Sequence, residues 1–383
     1  MLRAGFARID ITPGPDCSLM GYEFRQEHLP PGNDGVHDPL FARALVLDDG
    51  TQPAALLSLD IAVLPTQLAR RLRESVAAGL NTQLERVILA CIHTHSGPTP
   101  EAPFTDNLDE KILDAVARAE GLKHPVDVLV RQAPLGMGYN RRVNTGDGLK
   151  HCWSPQEFPD RMPGPATDPA FTLLEFRQVG GPRRHFVWNV GVHPVVLGKT
   201  SRVVSADYPG AACALIEEYV PGSNAMFLLG AAGDTHPWIA TQEKAEHVEP
   251  VARAAASFAA LLSEGMEPAA DSGPVTLAAA GDSIELGRDG MDLVAWRLGK
   301  ALIVTVPVEL FGELAAGLRQ RVDGPVVLST VTNGWSMYLP TTRAFEQGGY
   351  EVDIATRFGF KPGDGEVLIN RLVDLVGKLR SAR

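Results

Sequence analysis

The chain has 383 residues, of which 45% are hydrophobic and 21% charged, a balance typical of a folded globular protein rather than a disordered one. The formal net charge of −11 argues against nucleic acid as a partner, because binding to phosphate backbones depends on clustered basic side chains. The sequence has no apolar run near the roughly 20 residues that a membrane span requires, so we expect no membrane insertion.

Strands and helices alternate along the predicted chain. Apolar runs predict strands at 4–11, 41–47, 54–59, 87–92, 126–132, 171–176, 184–190, 225–229, 275–280, 301–307 and 326–331. Helical spacing predicts helices at 65–79, 109–119, 208–219, 249–262, 309–322 and from 364 onward. The segment 144–168, rich in Gly, Pro, Asp and aromatic residues, predicts a long excursion or lid. This order predicts an α/β fold, a single layered domain over residues 1–383 with mixed β-sheets flanked by helices.

The cysteines and the N-terminal segment bear on the compartment. Cys17, Cys91, Cys152 and Cys213 are far apart and form no C-x-x-C pair, so reduced and mostly buried thiols are expected. The N-terminal segment lacks the apolar region of a secretory signal and is expected to form the first strand. We therefore expect a cytoplasmic protein.

The strongest local signal is Cys-Ile-His-Thr-His-Ser-Gly-Pro at 91–98, directly after a predicted buried strand. Residues two apart in extended chain point the same way, so His93 and His95 can face one cavity. Imidazole is the commonest protein ligand for zinc, and strand ends in α/β sheets are where ligand sites gather. The alternative is two loop histidines with ordinary hydrogen bonds.

Five more residues of metal-ligand type lie at strand ends or a helix start: His193, Asp207, Asp234, His236 and Glu309. Each has a structural alternative. A lone histidine is often structural, Asp207 can cap a helix, and Glu309 can be a first-turn glutamate favoured by the helix dipole. Taken together, their placement predicts one shared site.

These motifs belong to a longer series of segments: 5–13, Gly21-Tyr22, 57–60, 93–98, Asn140-Arg141, the His193 segment, Gly233-Asp234, Pro307-x-Glu309, and 338–351. In this order the chain resembles the catalytic domain of the neutral (non-lysosomal, alkaline) ceramidase family. The resemblance implies that family's fold and a zinc ion held by His93, His193, Glu309 and Tyr338. Of the two nearby tyrosines that the family has in this stretch, one position is Trp335 here.

The resemblance also implies roles for other residues. His95 is expected to act as an acid/base or as a donor to the transition state, and Arg141 as a donor to the substrate carbonyl. The family's Gly-Asp-x-Ser-Pro element reads Gly-Asp-Thr-His-Pro here, with His236 at the serine position. A serine nucleophile is therefore excluded at this position, whereas a metal-activated water needs none. His236, beside Asp234, is expected to be a further ligand or an acid/base.

Two further expectations concern the aspartates and the substrate. Asp60, Asp207 and Asp234 are expected to orient the histidines, the alternative being ligands of a second metal ion. The chain ends near the end of the family's catalytic domain, without the C-terminal β-sandwich of secreted ceramidases. A substrate smaller and more soluble than ceramide is therefore expected.

The predicted function is a zinc-dependent hydrolase that cleaves an amide or related acyl bond of a small molecule by metal-activated water. An ester, lactone or cyclic amide substrate remains open on the same site, as does a non-catalytic ligand-binding descendant. A metal-free acyl transferase or esterase with Ser96 or Thr235 as nucleophile is a further alternative, although the sequence has no G-x-S-x-G motif. Oligomeric state stays open, a homo-oligomer included.

Overall fold

The computed structural model describes residues 1–146, 148–158, 162–270 and 275–381. Within these ranges the chain has nine α-helices: Glu23–His28 (α1), Thr66–Leu80 (α2), Leu108–Gly121 (α3), Asp207–Tyr219 (α4), Val248–Ser263 (α5), Gly312–Arg321 (α6), Thr342–Gln347 (α7), Tyr350–Arg357 (α8) and Asp364–Ser381 (α9). None of these described helices is both long and apolar enough to cross a bilayer.

The described residues also form nineteen strands. They are Arg3–Asp10 (β1), Phe41–Asp48 (β2), Pro53–Leu59 (β3), Val87–Cys91 (β4), His124–Pro134 (β5), Gly138–Asn140 (β6), Arg142–Asn144 (β7), Leu149–His151 (β8), Ala170–Gln178 (β9), Arg184–Val190 (β10), Ser223–Leu229 (β11), Thr235–Pro237 (β12), Glu267–Pro268 (β13), Leu277–Leu286 (β14), Asp289–Leu298 (β15), Ala301–Thr305 (β16), Glu309–Leu310 (β17), Val326–Ser329 (β18) and Tyr338–Leu339 (β19).

The largest sheet has the strand order β11-β10-β9-β5-β1-β2-β3-β4, with β13 paired to β5. Most of its pairs are antiparallel, but β3–β4 and β10–β11 are parallel and are connected through α2 and α4. The two ends of this sheet approach each other, and Ser58 Oγ of β3 donates to Phe227 O of β11 at 2.7 Å. The carboxyl ends of both parallel pairs therefore lie in one region.

A second sheet, β14-β15-β16-β18, packs on one face of the first. The apolar layer between them includes Leu56, Met226 and Trp296. Helices α2 to α5 cover the other face of the first sheet, and α6 and α9 cover the outer face of the second. The result is a helix–sheet–sheet–helix layering, which confirms the predicted α/β class with mixed sheets flanked by helices. That residues 1–383 form a single domain stays a prediction.

Most predicted elements are present, with a few differences. The predicted helix 309–322 is wrong at its start: α6 begins at Gly312, and Glu309 lies in β17, paired in parallel with Tyr338 of β19. The short helices α1, α7 and α8, the strand β15 and the short strands β6, β7, β8, β12, β13, β17 and β19 were not predicted. Within the predicted excursion 144–168, β7 and β8 form a hairpin, while residues 147 and 159–161 lie outside the described residues. All four cysteines are free and buried, as predicted.

Candidate metal centre

Three histidine side chains converge where the parallel strand pairs end. His93 follows β4, His193 follows β10, and His95 lies between them. The Nε2 atom of His95 is 3.4 Å from that of His93 and 3.3 Å from that of His193. One ring nitrogen from each residue falls within 4.8 Å of the other two. The structure thus brings His95, predicted as an acid/base, into the same cluster as two predicted ligands.

Backbone carbonyl groups orient the two outer histidines. His93 Nδ1 bonds to Ala62 O at 2.9 Å, in the loop after β3, and His193 Nδ1 bonds to Ala232 O at 3.0 Å, in the loop after β11. A carbonyl oxygen only accepts, so each Nδ1 donates a proton to it, and Nε2 is the ring nitrogen that faces the cluster. Each histidine is therefore held by the loop that follows the neighbouring parallel strand.

Glu309 completes the cluster with a carboxylate. Its Oε2 lies 3.3 Å from His93 Nε2 and 3.6 Å from His193 Nε2, and has no hydrogen-bond partner among the described residues. Its Oε1 accepts a hydrogen bond from Trp335 Nε1 at 2.9 Å. Burial acts to raise the pKa of Glu309, but His93 and Trp335 outweigh it and hold the pKa below its ordinary value.

This donor set fits a metal cation. Burial lowers the pKa of both His95 and His193 far below the ordinary value, with a further contribution from His93, so both imidazoles stay neutral at pH 7. Converging lone pairs and an unpaired buried carboxylate oxygen repel one another unless a cation lies between them. Imidazole nitrogen and carboxylate oxygen are zinc ligands, and a backbone carbonyl on the other ring nitrogen is the usual support for such a histidine.

Tyr338, the fourth predicted ligand, lies beside Glu309 through the β17–β19 pairing. Its side chain is buried, and its ring packs 5.4 Å from the guanidinium carbon of Arg141. Burial raises the pKa of Tyr338 well above its ordinary value, and the nearby Glu309 charge adds to this shift. The structure therefore places Tyr338 next to the cluster, and its role as a ligand stays a prediction.

Arg141 is buried and fixed on three sides. Its Nε donates to Glu351 Oε1 at 2.8 Å, Nη1 to His236 Nε2 at 2.9 Å and Nη2 to Gly233 O at 2.8 Å. His236 Nε2 must be unprotonated because guanidinium only donates, and this lone pair is occupied by Arg141 rather than aimed at the cluster. Burial, followed by the Arg141 charge, lowers the pKa of His236 far below its ordinary value.

The three aspartates contact other groups instead of histidine rings. Asp234 accepts from Gly312 N at 2.9 Å and from Asn140 Nδ2 at 2.8 Å, while its backbone carbonyl accepts from Arg141 N. Asp60 pairs with Arg43, and Asp207 accepts from the backbone of the loop after His193. The prediction that carboxylates orient His93 and His193 is therefore wrong. Asp234 instead positions Asn140 and Arg141, at the junction of β6 and β7.

A cavity of about 440 Å³ opens onto the cluster. His95, Arg141, His236 and Tyr338 line it, together with aromatic residues of its walls. Gly21 is essential to its shape: at φ +111°, a Cβ atom there would lie 2.4 Å from His95 Cγ. Among the three clustered histidines, His95 is therefore the one that lines the described cavity.

The alternative nucleophiles lack the geometry for a serine- or threonine-based mechanism. Ser96 Oγ is buried without a hydrogen-bond partner in the described part of the chain, and Thr235 Oγ1 donates to Asp234. The described structure thus pairs neither hydroxyl with a histidine base. In the sequence, Trp335 stands out only as a departure from the family. Its hydrogen bond to Glu309 was not predicted, because no sequence signal reports it.

No known protein-family model matches this sequence. Solved structures that match in fold include two of ceramidases. One is neutral ceramidase from Pseudomonas aeruginosa, with a TM-score of 0.81 and 15% identity over 99% of this chain and 74% of that chain. The other is a ceramidase complexed with C2, with the same TM-score and identity over 99% of this chain and 75% of that one. The chain therefore has the neutral ceramidase fold over nearly its whole length, which confirms the resemblance found in the sequence.

Proposed function

We propose that this protein is a metal-dependent hydrolase that cleaves an amide bond of a small molecule, with zinc as the expected ion. The observation that carries the proposal is the convergence of three imidazole nitrogens and Glu309 Oε2, one of these imidazoles, that of His95, lining a 440 Å³ cavity. The fold is that of ceramidases, enzymes named for the amide lipid ceramide. A cavity near the lower end of the roughly 300–1,000 Å³ range of ligand pockets favours a smaller substrate.

His93, His193 and Glu309 would hold the ion, with Tyr338 as the fourth ligand. When bound, zinc activates a water molecule and polarises a carbonyl group. Other groups of the chain orient these ligand side chains. Backbone carbonyl groups fix the two outer imidazoles, and Trp335 holds one carboxylate oxygen of Glu309 so that the other faces the cluster.

The proposed role of His95 is to move a proton between the cluster and the substrate. It is 3.3–3.4 Å from both outer histidines and lines the cavity, where Tyr22 packs edge-on against its ring at 5.0 Å. In the proposed reaction His95 delivers a proton to the leaving nitrogen.

Arg141 is the proposed donor to the substrate carbonyl. Its guanidinium group has five N–H groups, and three hydrogen bonds to Glu351, His236 and Gly233 hold it in one orientation. A fixed charged donor at the cavity wall stabilises negative charge that develops on oxygen, an effect worth about 3–4 kcal/mol per donor in comparable sites. His236 and Asp234 support Arg141, and His236 also lines the cavity.

The test is zinc content of the purified protein by elemental mass spectrometry, combined with hydrolysis of a panel of small amides, esters and lactones. Glu309→Ala should lose the metal and the activity. Glu313→Ala is the matched control, because Glu313 is an exposed glutamate of α6 paired only with Arg343 in the described structure. A metal-free wild type, or full zinc in Glu309→Ala, would contradict the proposal. Bound zinc without turnover of any substrate would instead support a non-catalytic descendant. The cytoplasmic location stays a prediction.

A further inference from the structure

Two large aromatic side chains at the mouth of the cavity are unusually exposed. Trp153 is 39% exposed and Tyr350 is 42% exposed, and both line the cavity. Their rings lie 6.3 Å apart at an interplanar angle of 59°. Exposed aromatic rings beside a concave site indicate binding, because rigid aromatic side chains lose little conformational entropy when they contact a ligand.

Contacts of both its backbone and its ring hold Trp153 in position. Its backbone carbonyl oxygen accepts from Tyr139 OH at 3.1 Å and from Thr241 Oγ1 at 3.2 Å, and its backbone N–H donates to Glu157 Oε2 at 3.2 Å. One side of the indole packs on His151, with ring centroids 4.0 Å apart. The ring is therefore pre-organised at the mouth of the cavity.

Tyr350 is tied to the catalytic side of the cavity. Its ring contacts that of Tyr338 at 5.8 Å and that of His151 at 5.2 Å. It is the first residue of α8, and the next residue, Glu351, binds Arg141. The aromatic rim, Trp153 and Tyr350, thus has a fixed position relative to the proposed carbonyl donor.

We infer that the aromatic rim binds a planar ring of the ligand, so that the substrates are small amides carrying an aryl or heteroaryl group. Aromatic pairs are favourable at centroid distances of about 4.5–7 Å. Because the rim centroids are 6.3 Å apart, a ligand ring reaches this spacing with both when it lies to one side of the line that joins them, rather than between them. That the bound ligand is a substrate rests on the proposed function, whereas the binding of a planar ring does not.

The test measures equilibrium binding, separately from turnover. Dissociation constants of phenylacetamide and cyclohexylacetamide, which differ in aromaticity but little in size, are determined by ligand-observed NMR for the wild type, Trp153→Leu and Trp153→Phe. Leu261→Ala is the control, because Leu261 is an exposed apolar residue of α5 that is not among the residues lining the described cavity.

We expect the wild type and Leu261→Ala to prefer phenylacetamide, Trp153→Leu to bind it about tenfold more weakly, and Trp153→Phe to retain most of the preference. Equal affinity of the wild type for both compounds would overturn the inference, as would unchanged binding in Trp153→Leu. Ring preference without hydrolysis would support the inference while removing the proposed function. Hydrolysis without ring preference would support the proposed function and overturn the inference about the aromatic rim.

Discussion

Replacing Trp335 by phenylalanine tests how the chain prepares Glu309 for a metal. The substitution keeps an aromatic ring but removes the N–H that donates to Glu309 Oε1 at 2.9 Å. A hydrogen bond to a charged group contributes about 1.5–3 kcal/mol. Loss of a supporting partner of a metal ligand costs about 10–100-fold in affinity. The two ranges agree, since 1.4 kcal/mol corresponds to about tenfold.

We therefore expect Trp335→Phe to bind zinc about 10–100-fold more weakly than the wild type. The measurement is competition against a chelator of known affinity, so it does not depend on activity. Trp238→Phe is the matched control, because it also removes an indole donor, here to Gly136 O at 3.0 Å. Unchanged zinc affinity in Trp335→Phe would refute the reasoning, and an equal loss in Trp238→Phe would show that the effect is not specific to Glu309.

Two other predictions concern the cavity and the response to acid. Gly21→Ala should lower activity while zinc content stays near that of the wild type, because the added Cβ would lie 2.4 Å from His95 Cγ. Gly14→Ala is the control, since no atom lies within 4 Å of the Cβ added there. Full activity in Gly21→Ala would contradict the prediction. Burial, with the neighbouring His124 charge, lowers the pKa of His185 to about 3, so the unfolded chain binds more protons below pH 6.5 and stability falls as the pH falls. Between pH 7.5 and 4.5 this histidine should cost the wild type up to about 2–3 kcal/mol of unfolding free energy. Denaturant unfolding of His185→Gln should show a shallower loss than the wild type, and an identical pH dependence would contradict this.

The layered α/β architecture and much of the site could be predicted from the amino-acid sequence. Short apolar runs that end in polar loops predicted β4, β10 and β11 to within two residues. Because ligand residues follow such strands, the sequence also predicted that His93, His193 and Glu309 share one site. The structure places these three side chains in contact.

The way in which the site is held together could not be predicted, because it depends on contacts between residues far apart in the chain. Strand β15 escaped prediction because consecutive residues such as Leu293 and Val294 point to opposite faces and pack into different apolar layers, which removes the polar–apolar alternation of a half-buried strand. Glu309 lies in β17 because its backbone pairs with a segment about thirty residues away, a contact that local helical spacing does not report.

The supports of the histidines were equally hidden in the sequence. Every non-proline residue carries the same backbone carbonyl group, so nothing distinguishes Ala62 or Ala232 as the partner of a ring nitrogen until the chain is folded. Likewise, the two sheet ends meet through the contact of Ser58 with Phe227, which joins residues far apart in the chain. Residue type and local periodicity identified which side chains can bind a metal, and long-range packing decided how they are oriented.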